Sequence, residues 1–151
     1  MAKFKFPLEK VMQHRKTLEG IAQTHFQEAQ AELNSQIQKL KKMEELKVDA
    51  RAQAFRQQSN GGKTSPALVQ VSEFLKGQDI RIENQKNKIK ECESLVENLR
   101  EILRQKAIDY KIIEGLGKRQ EKAFKTELRK IDQKRVDEMN VMRFRRGDMK
   151  K

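Results

Sequence analysis

LKGQDIRIENQKNKIKECESLVENLREILRQKAIDYKIIEGLGKRQEKAFKTELRKI, residues 75–131, places an apolar or small residue at every seventh position. Leu75, Ile82, Ile89, Val96, Leu103, Tyr110, Gly117, Phe124 and Ile131 follow one another without a slip. Such a repeat belongs to helices that bury one narrow stripe, because slight underwinding, to about 3.5 residues per turn, keeps the stripe facing its partner. With these residues as position a, the d row is mixed: Gln78, Gln85, Cys92, Leu99, Lys106, Ile113, Gln120, Glu127, Lys134 and Val141. Leu95, Ile102 and Leu116 at g, with Ala107 and Leu128 at e, widen the stripe, as expected of a helix that meets more than one neighbour.

Upstream, from Leu8 just after Pro7, apolar or small residues recur at Val11, Leu18, Ala22, Phe26, Ala29, Leu33, Ile37, Leu40 and Met43, the intervals of one helix face. The stripe fades through Leu46, Ala50, Ala54 and Phe55 and meets SNGGKTSP at residues 59–66, where glycines, polar turn residues and Pro66 coincide. The spacing predicts one coiled-coil domain over residues 1–151, with a first helix at about 7–57, a loop at about 58–66 and a second helix at about 67–146. A short connection folds the second helix back beside the first. The expected fold is therefore all-α: a long antiparallel two-helix coiled-coil hairpin whose second helix is the longer.

Pairing residue 57 with residue 66 sets Leu8 opposite about residue 115, at a Gly115-Leu116-Gly117 cluster where weak helix propensity permits a bend. The second helix then overshoots by about thirty residues. Phe124, Leu128, Ile131, Val141 and Met142 should continue an apolar stripe with no partner in the same chain, the usual mark of an interaction site.

Composition supports this reading. Only 36% of the chain is apolar and 37% is charged, which is too little apolar material for a globular core and enough for a seam. Two prolines and seven glycines, set among abundant Glu, Lys, Gln, Arg, Leu and Ala, favour long helices. The net charge of +12 suits nucleic acid, an anionic membrane surface or an acidic protein face. Residues 1–16 carry five Lys or Arg against one Glu, and residues 143–151 carry five against one Asp, so the paired termini form a positive pole. A single cysteine, Cys92, allows no intramolecular disulfide, and no apolar run is long enough for a signal-peptide core or a membrane span; a cytoplasmic protein is expected.

No residue pattern calls for chemistry. Gly61-Gly62-Lys63-Thr64 has part of a phosphate-loop pattern, but Gln57 stands where the first glycine belongs and no strand precedes it, so it reads as an exposed turn. His14 and His25 lie three helical turns apart, outside metal-ligand spacing, and Cys92 falls on the seam, where burial disfavours a thiolate. No nucleophile, base and orienting residue converge, so no catalytic residue, metal or cofactor is expected. Positive charge interleaved with acids reads as a solvated coiled-coil face and disfavours nucleic acid, since a zipper-type reader needs its basic block immediately before the seam. A basic nucleic-acid-associated coiled coil and a homo-oligomeric coiled-coil scaffold stand as the alternatives to a partner-binding hairpin.

FKFPLEKVMQHRKTLEGIAQ at residues 4–23, the break near residue 60 and DQKRVDEMNVMRFRR at residues 132–146 together resemble the flagellar export protein family FliJ. Phe4, Phe6, Leu8, Val11 and Arg15 carry the likeness at the start, and Gln133, Lys134, Asp137, Glu138 and Arg143 carry it near the end. The resemblance implies a non-enzymatic cytoplasmic component of the flagellar type III export apparatus, similar in fold to the rotor stalk of the F-type ATPase and peripheral at the inner face of the cell membrane when assembled. It also implies that the termini-bearing end binds the hexameric export ATPase FliI, with Leu8, Val11, Arg15, Gln133, Asp137 and Glu138 as the contact. The start of the second helix would bind the cytoplasmic domain of the export gate protein FlhA through Phe74, whereas Gln78, Arg81 and Gln85 depart from the family's gate-binding pattern. Coupling of the ATPase to export and escort of export chaperones are implied by the same likeness.

Overall fold

The computed structural model describes residues 2–59 and 66–150. They form two helices, α1 (Glu9–Ser59) and α2 (Pro66–Asp148), paired as an all-α antiparallel hairpin with α2 the longer. Pro7 sits in the turn that precedes α1, where its fixed φ suits the second residue of a turn; Glu9 N–H donates to the Phe6 carbonyl (3.2 Å) and Met12 N–H to the Leu8 carbonyl (2.9 Å). Pro66 opens α2, a position whose N–H would have no helical partner in any case. Most of the expected loop at 58–66, including the whole Gly61–Thr64 string, lies outside the described residues.

One compact unit comprises Gly20–Arg104. Its centre is Leu33 against Ile89 and Val96, flanked by Phe26, Ala29, Leu40 and Cys92. Two amide layers interrupt this apolar seam. Gln78, only 2% exposed, donates from Nε2 to the Met43 carbonyl (2.9 Å), while its Oε1 accepts from Arg81 Nη1 (3.0 Å). Gln85 donates from Nε2 to both the backbone carbonyl (2.9 Å) and Oε1 (2.8 Å) of Gln36. A buried amide without partners costs free energy, whereas these four contacts give each buried amide hydrogen bonds and tie each α2 glutamine to one residue of α1. At the flanks, Arg100 lies 5.8 Å over the Phe26 ring, and Lys47 bridges to Asp79 across the pair.

On α1 the covered residues, Leu18 and Gln30 apart, form two unbroken rows at seven-residue intervals. Met12, Glu19, Phe26, Leu33, Leu40, Lys47 and Ala54 make one, and Arg15, Ala22, Ala29, Gln36, Met43, Ala50 and Gln57 make the other. Val11 and Ile37, expected on the stripe, are instead exposed. The reason is that inward positions are held by Arg15, Glu19, Gln36 and Lys47, whose long stems can pack while their polar ends reach the edge or a partner, and by Gln57, whose Oε1 is buried without a hydrogen-bond partner among the described residues. On α2 the a row is covered from Leu75 to Phe124, and the d row from Gln78 to Ile113. Leu95 and Ile102, about half exposed, remain uncovered on the flank.

Two outcomes follow from the seam. Gln85→Leu strands the Gln36 amide and should lower unfolding stability by about 1–2 kcal/mol, while Gln36→Leu with Gln85→Leu should recover that loss but allow slipped pairings, both read by denaturation followed by circular dichroism. The hydrogen bond from Lys47 holds the Asp79 carboxyl below its ordinary 3.8. A depressed carboxylate contributes stability that is present above its unfolded value and lost as pH falls through the folded one. Stability measured below pH 4 should therefore decline less steeply for Asp79→Asn than for the native chain.

Candidate functional site

The second compact unit comprises Met1–Glu19 with Gln105–Lys151. Ahead of the Pro7 turn, residues 2–6 run without helix as a strap along α2. The Phe6 ring lies on Gly117, close enough that a Cβ there would stand 3.4 Å from it, and the Phe4 ring meets Phe124 with centroids 5.5 Å apart at 43°. Gly117 thus provides a seat for an aromatic ring. The bend expected at Gly115–Gly117 takes the form of no helix break, since α2 continues as helix through all three residues.

The strap also corrects the expected start of the unpartnered stripe. Phe124 and Leu128 are half-covered by the chain's own N-terminus, because a non-helical strand advances about 3.3 Å per residue against about 1.5 Å for a helix. Two strap residues and their rings therefore reach across two turns of α2. Strap and helix enclose an open groove of about 580 Å³, lined by Phe4, Phe6, Met12, Phe124 and Leu128. Glu114 and Lys118 pair on its rim at 2.5 Å, which holds the carboxyl below and the ammonium above its usual range. Ordering the strap's backbone costs about 5–10 kcal/mol at 1–2 per residue, and two largely buried rings with one aromatic pair return about 4–7 kcal/mol. The strap is held near balance.

Beyond the groove, every described residue from Arg129 to Lys150 is exposed, although α2 continues to Asp148. Large apolar residues on this tail run from 40% exposed at Ile131 to 90% at Met149, with Val136, Met139, Val141, Met142 and Phe144 between. Gln133, Asp137 and Glu138 stand on this tail, exposed. Leu8 and Val11 are exposed on the same unit, whereas Arg15 is half-buried and donates from Nη1 to the Asp109 carbonyl (2.9 Å), so its guanidinium is committed to the helix pair. Val136, Met139 and Phe144 were not singled out by the sequence pattern because they stand off the a and d rows. Their signal is an apolar residue recurring where the seam has already ended.

Phe74, in the unit Gly20–Arg104, is partly exposed beside an open groove of about 440 Å³ with Leu46, Ala50, Ala67 and Val71 in its walls. Gln78 and Gln85 face α1 and are buried, so neither is available to a partner, while Arg81 is exposed. His14 and His25 are both exposed, Cys92 is half-buried in the seam, and among the described residues no group of three potential ligands surrounds a metal position. No described helix is long and apolar enough to cross a membrane.

Residues 4–148 match the family described as "Flagellar FliJ protein". No curated protein and no solved structure gives a significant match.

The ring seat predicts opposite results for two substitutions at one position. Gly117→Ala puts its methyl in ordinary contact with Phe6 and gains helix propensity, so it should stabilise by up to about 1 kcal/mol in a thermal melt. Gly117→Val fills the seat and ejects the ring, and trypsin should then cut after Lys5 several times faster than in the native chain, with the melt of the helix pair little changed.

Proposed function

The chain belongs to the flagellar FliJ family, a component of the flagellar protein-export apparatus, and from that premise we propose that its terminal unit binds the export ATPase FliI. The observation that carries this reading is the tail. A helix from Arg129 to Asp148 with every residue exposed forgoes the tertiary packing that normally stabilises a helix in water, and its apolar residues gain that packing only against another molecule. Gln133, Asp137 and Glu138 are exposed on that tail, Leu8 and Val11 are exposed on the same unit, and Arg15 orients the pair from within through its bond to Asp109. A basic, narrow, apolar-striped helix end suits the central opening of a ring, where it can be gripped from all sides.

The groove beside Phe74 is the proposed seat of the cytoplasmic domain of the export gate protein FlhA, with the Phe74 ring as its anchor. Binding of both partners by one chain gives a physical link through which ATPase action is coupled to the gate, in the cytoplasm at the inner face of the cell membrane. Escort of export chaperones uses a further exposed face of the same protein.

The test compares three chains in binding to the purified export ATPase at near-physiological salt: the full chain, one ending at Arg129, and the triple variant Gln133→Ala, Asp137→Ala, Glu138→Ala. The shortened chain should lose measurable binding and the triple variant should bind about tenfold more weakly, each with the seam's melt retained. Equal binding by all three, or recovery of nucleic acid or of the chain itself in place of the ATPase, would overturn the proposal.

A further inference from the structure

The strap is attached in an unusual way for a segment that covers apolar surface. Among the described residues, no hydrogen bond ties residues 2–5 to α2; the hold consists of Phe6 on Gly117 and Phe4 against Phe124. The groove under it is open, so neither ring is locked in by a surrounding shell. The entropy of ordering the strap and the apolar gain of its two rings are comparable, which is the condition for a segment that is populated both docked and free.

Its position adds a direction to that equilibrium. Phe124 and Leu128 are the last half-covered residues of α2, and Ile131, one turn on, is the first exposed residue of the a row. The three lie at the intervals of a single helix face, so the strap covers the inner end of the stripe that the bare tail continues. A ligand gripping the tail and advancing along that face meets the Phe4 and Phe6 seats next.

We infer that the strap is a releasable clasp: in the free chain Phe4 and Phe6 occupy apolar seats at Phe124 and Gly117, and they leave when apolar side chains of the ATPase take those seats. The clasp keeps the stripe partly covered until the partner is present, and it lowers the partner's apparent affinity by the fraction of chains in which the seats are open. The identity of the displacing partner rests on the proposed ATPase contact; the docked–free equilibrium does not.

The experiment uses the full chain labelled with fluorophenylalanine, with the Phe4 and Phe124 fluorine resonances assigned by single substitutions. In the free protein Phe4 should show docked and undocked populations, the docked form holding roughly half to nine-tenths of the chains, and the purified ATPase should shift Phe4 to the undocked position. Phe4→Ser with Phe6→Ser should bind the ATPase about two- to tenfold more tightly than the native chain, with an unchanged thermal melt of the helix pair. A single docked population that persists on binding, a Phe4 signal that is free throughout, or equal or weaker binding by the double variant would overturn the clasp. If no form of the chain binds the ATPase, the proposed function fails, and the populations of Phe4 in the free protein still decide the clasp.

Discussion

A buried amide in an apolar seam costs free energy unless it is hydrogen-bonded, and the pairing of α1 with α2 supplies such bonds to Gln78 and Gln85. A purely apolar seam of small and branched residues can slide by a heptad at little cost, because one aliphatic layer resembles the next. The bond from Gln85 to both oxygens of Gln36 has no equivalent one heptad away: Met43 and Ala29, the residues that would then stand opposite, offer no side-chain oxygen. The register of the helices is thereby fixed at the cost of apolar burial, which is already scarce in this chain.

With so little apolar material, small differences in cover become functional differences. Ile82, Ile89, Val96 and Ile113 are buried, Phe124 and Leu128 are half-covered, and every described residue from Arg129 onward is open. These three grades follow from what lies opposite on the chain: a helix, a strap of five residues, then nothing among the described residues. A partner-binding surface needs accessible apolar and charged groups at regular spacing. The tail supplies these, in keeping with a member of a flagellar export family.

Gly117 shows how one position can satisfy two levels of structure. In a helix interior it gives up about 1 kcal/mol of propensity relative to alanine. In return its missing Cβ admits the Phe6 ring, and that contact, together with Phe4 on Phe124, draws the strap across the groove. Phe74 offers a parallel lesson at the proposed gate site. Of the three residues that depart from the gate-binding pattern the resemblance implies, Gln78 and Gln85 are buried layers of the seam, whereas Arg81 is exposed.

The sequence alone determined the helix pair, the break between the helices and the a row of α2, because a seven-residue repeat over so many turns has only one economical burial. The terminal and distal motifs also carried the family. The inward rows of α1 were hidden, since Arg15, Glu19, Gln36, Lys47 and Gln57 read as solvent-facing until the stems and partners that bury them are seen. Only the tertiary structure decided that residues 2–6 form a strap, that Gly117 seats a ring, and that the bare stripe begins after Leu128. Each depends on how far a non-helical strand reaches and what it meets there, and neither distance is encoded in the spacing of residues along a single helix.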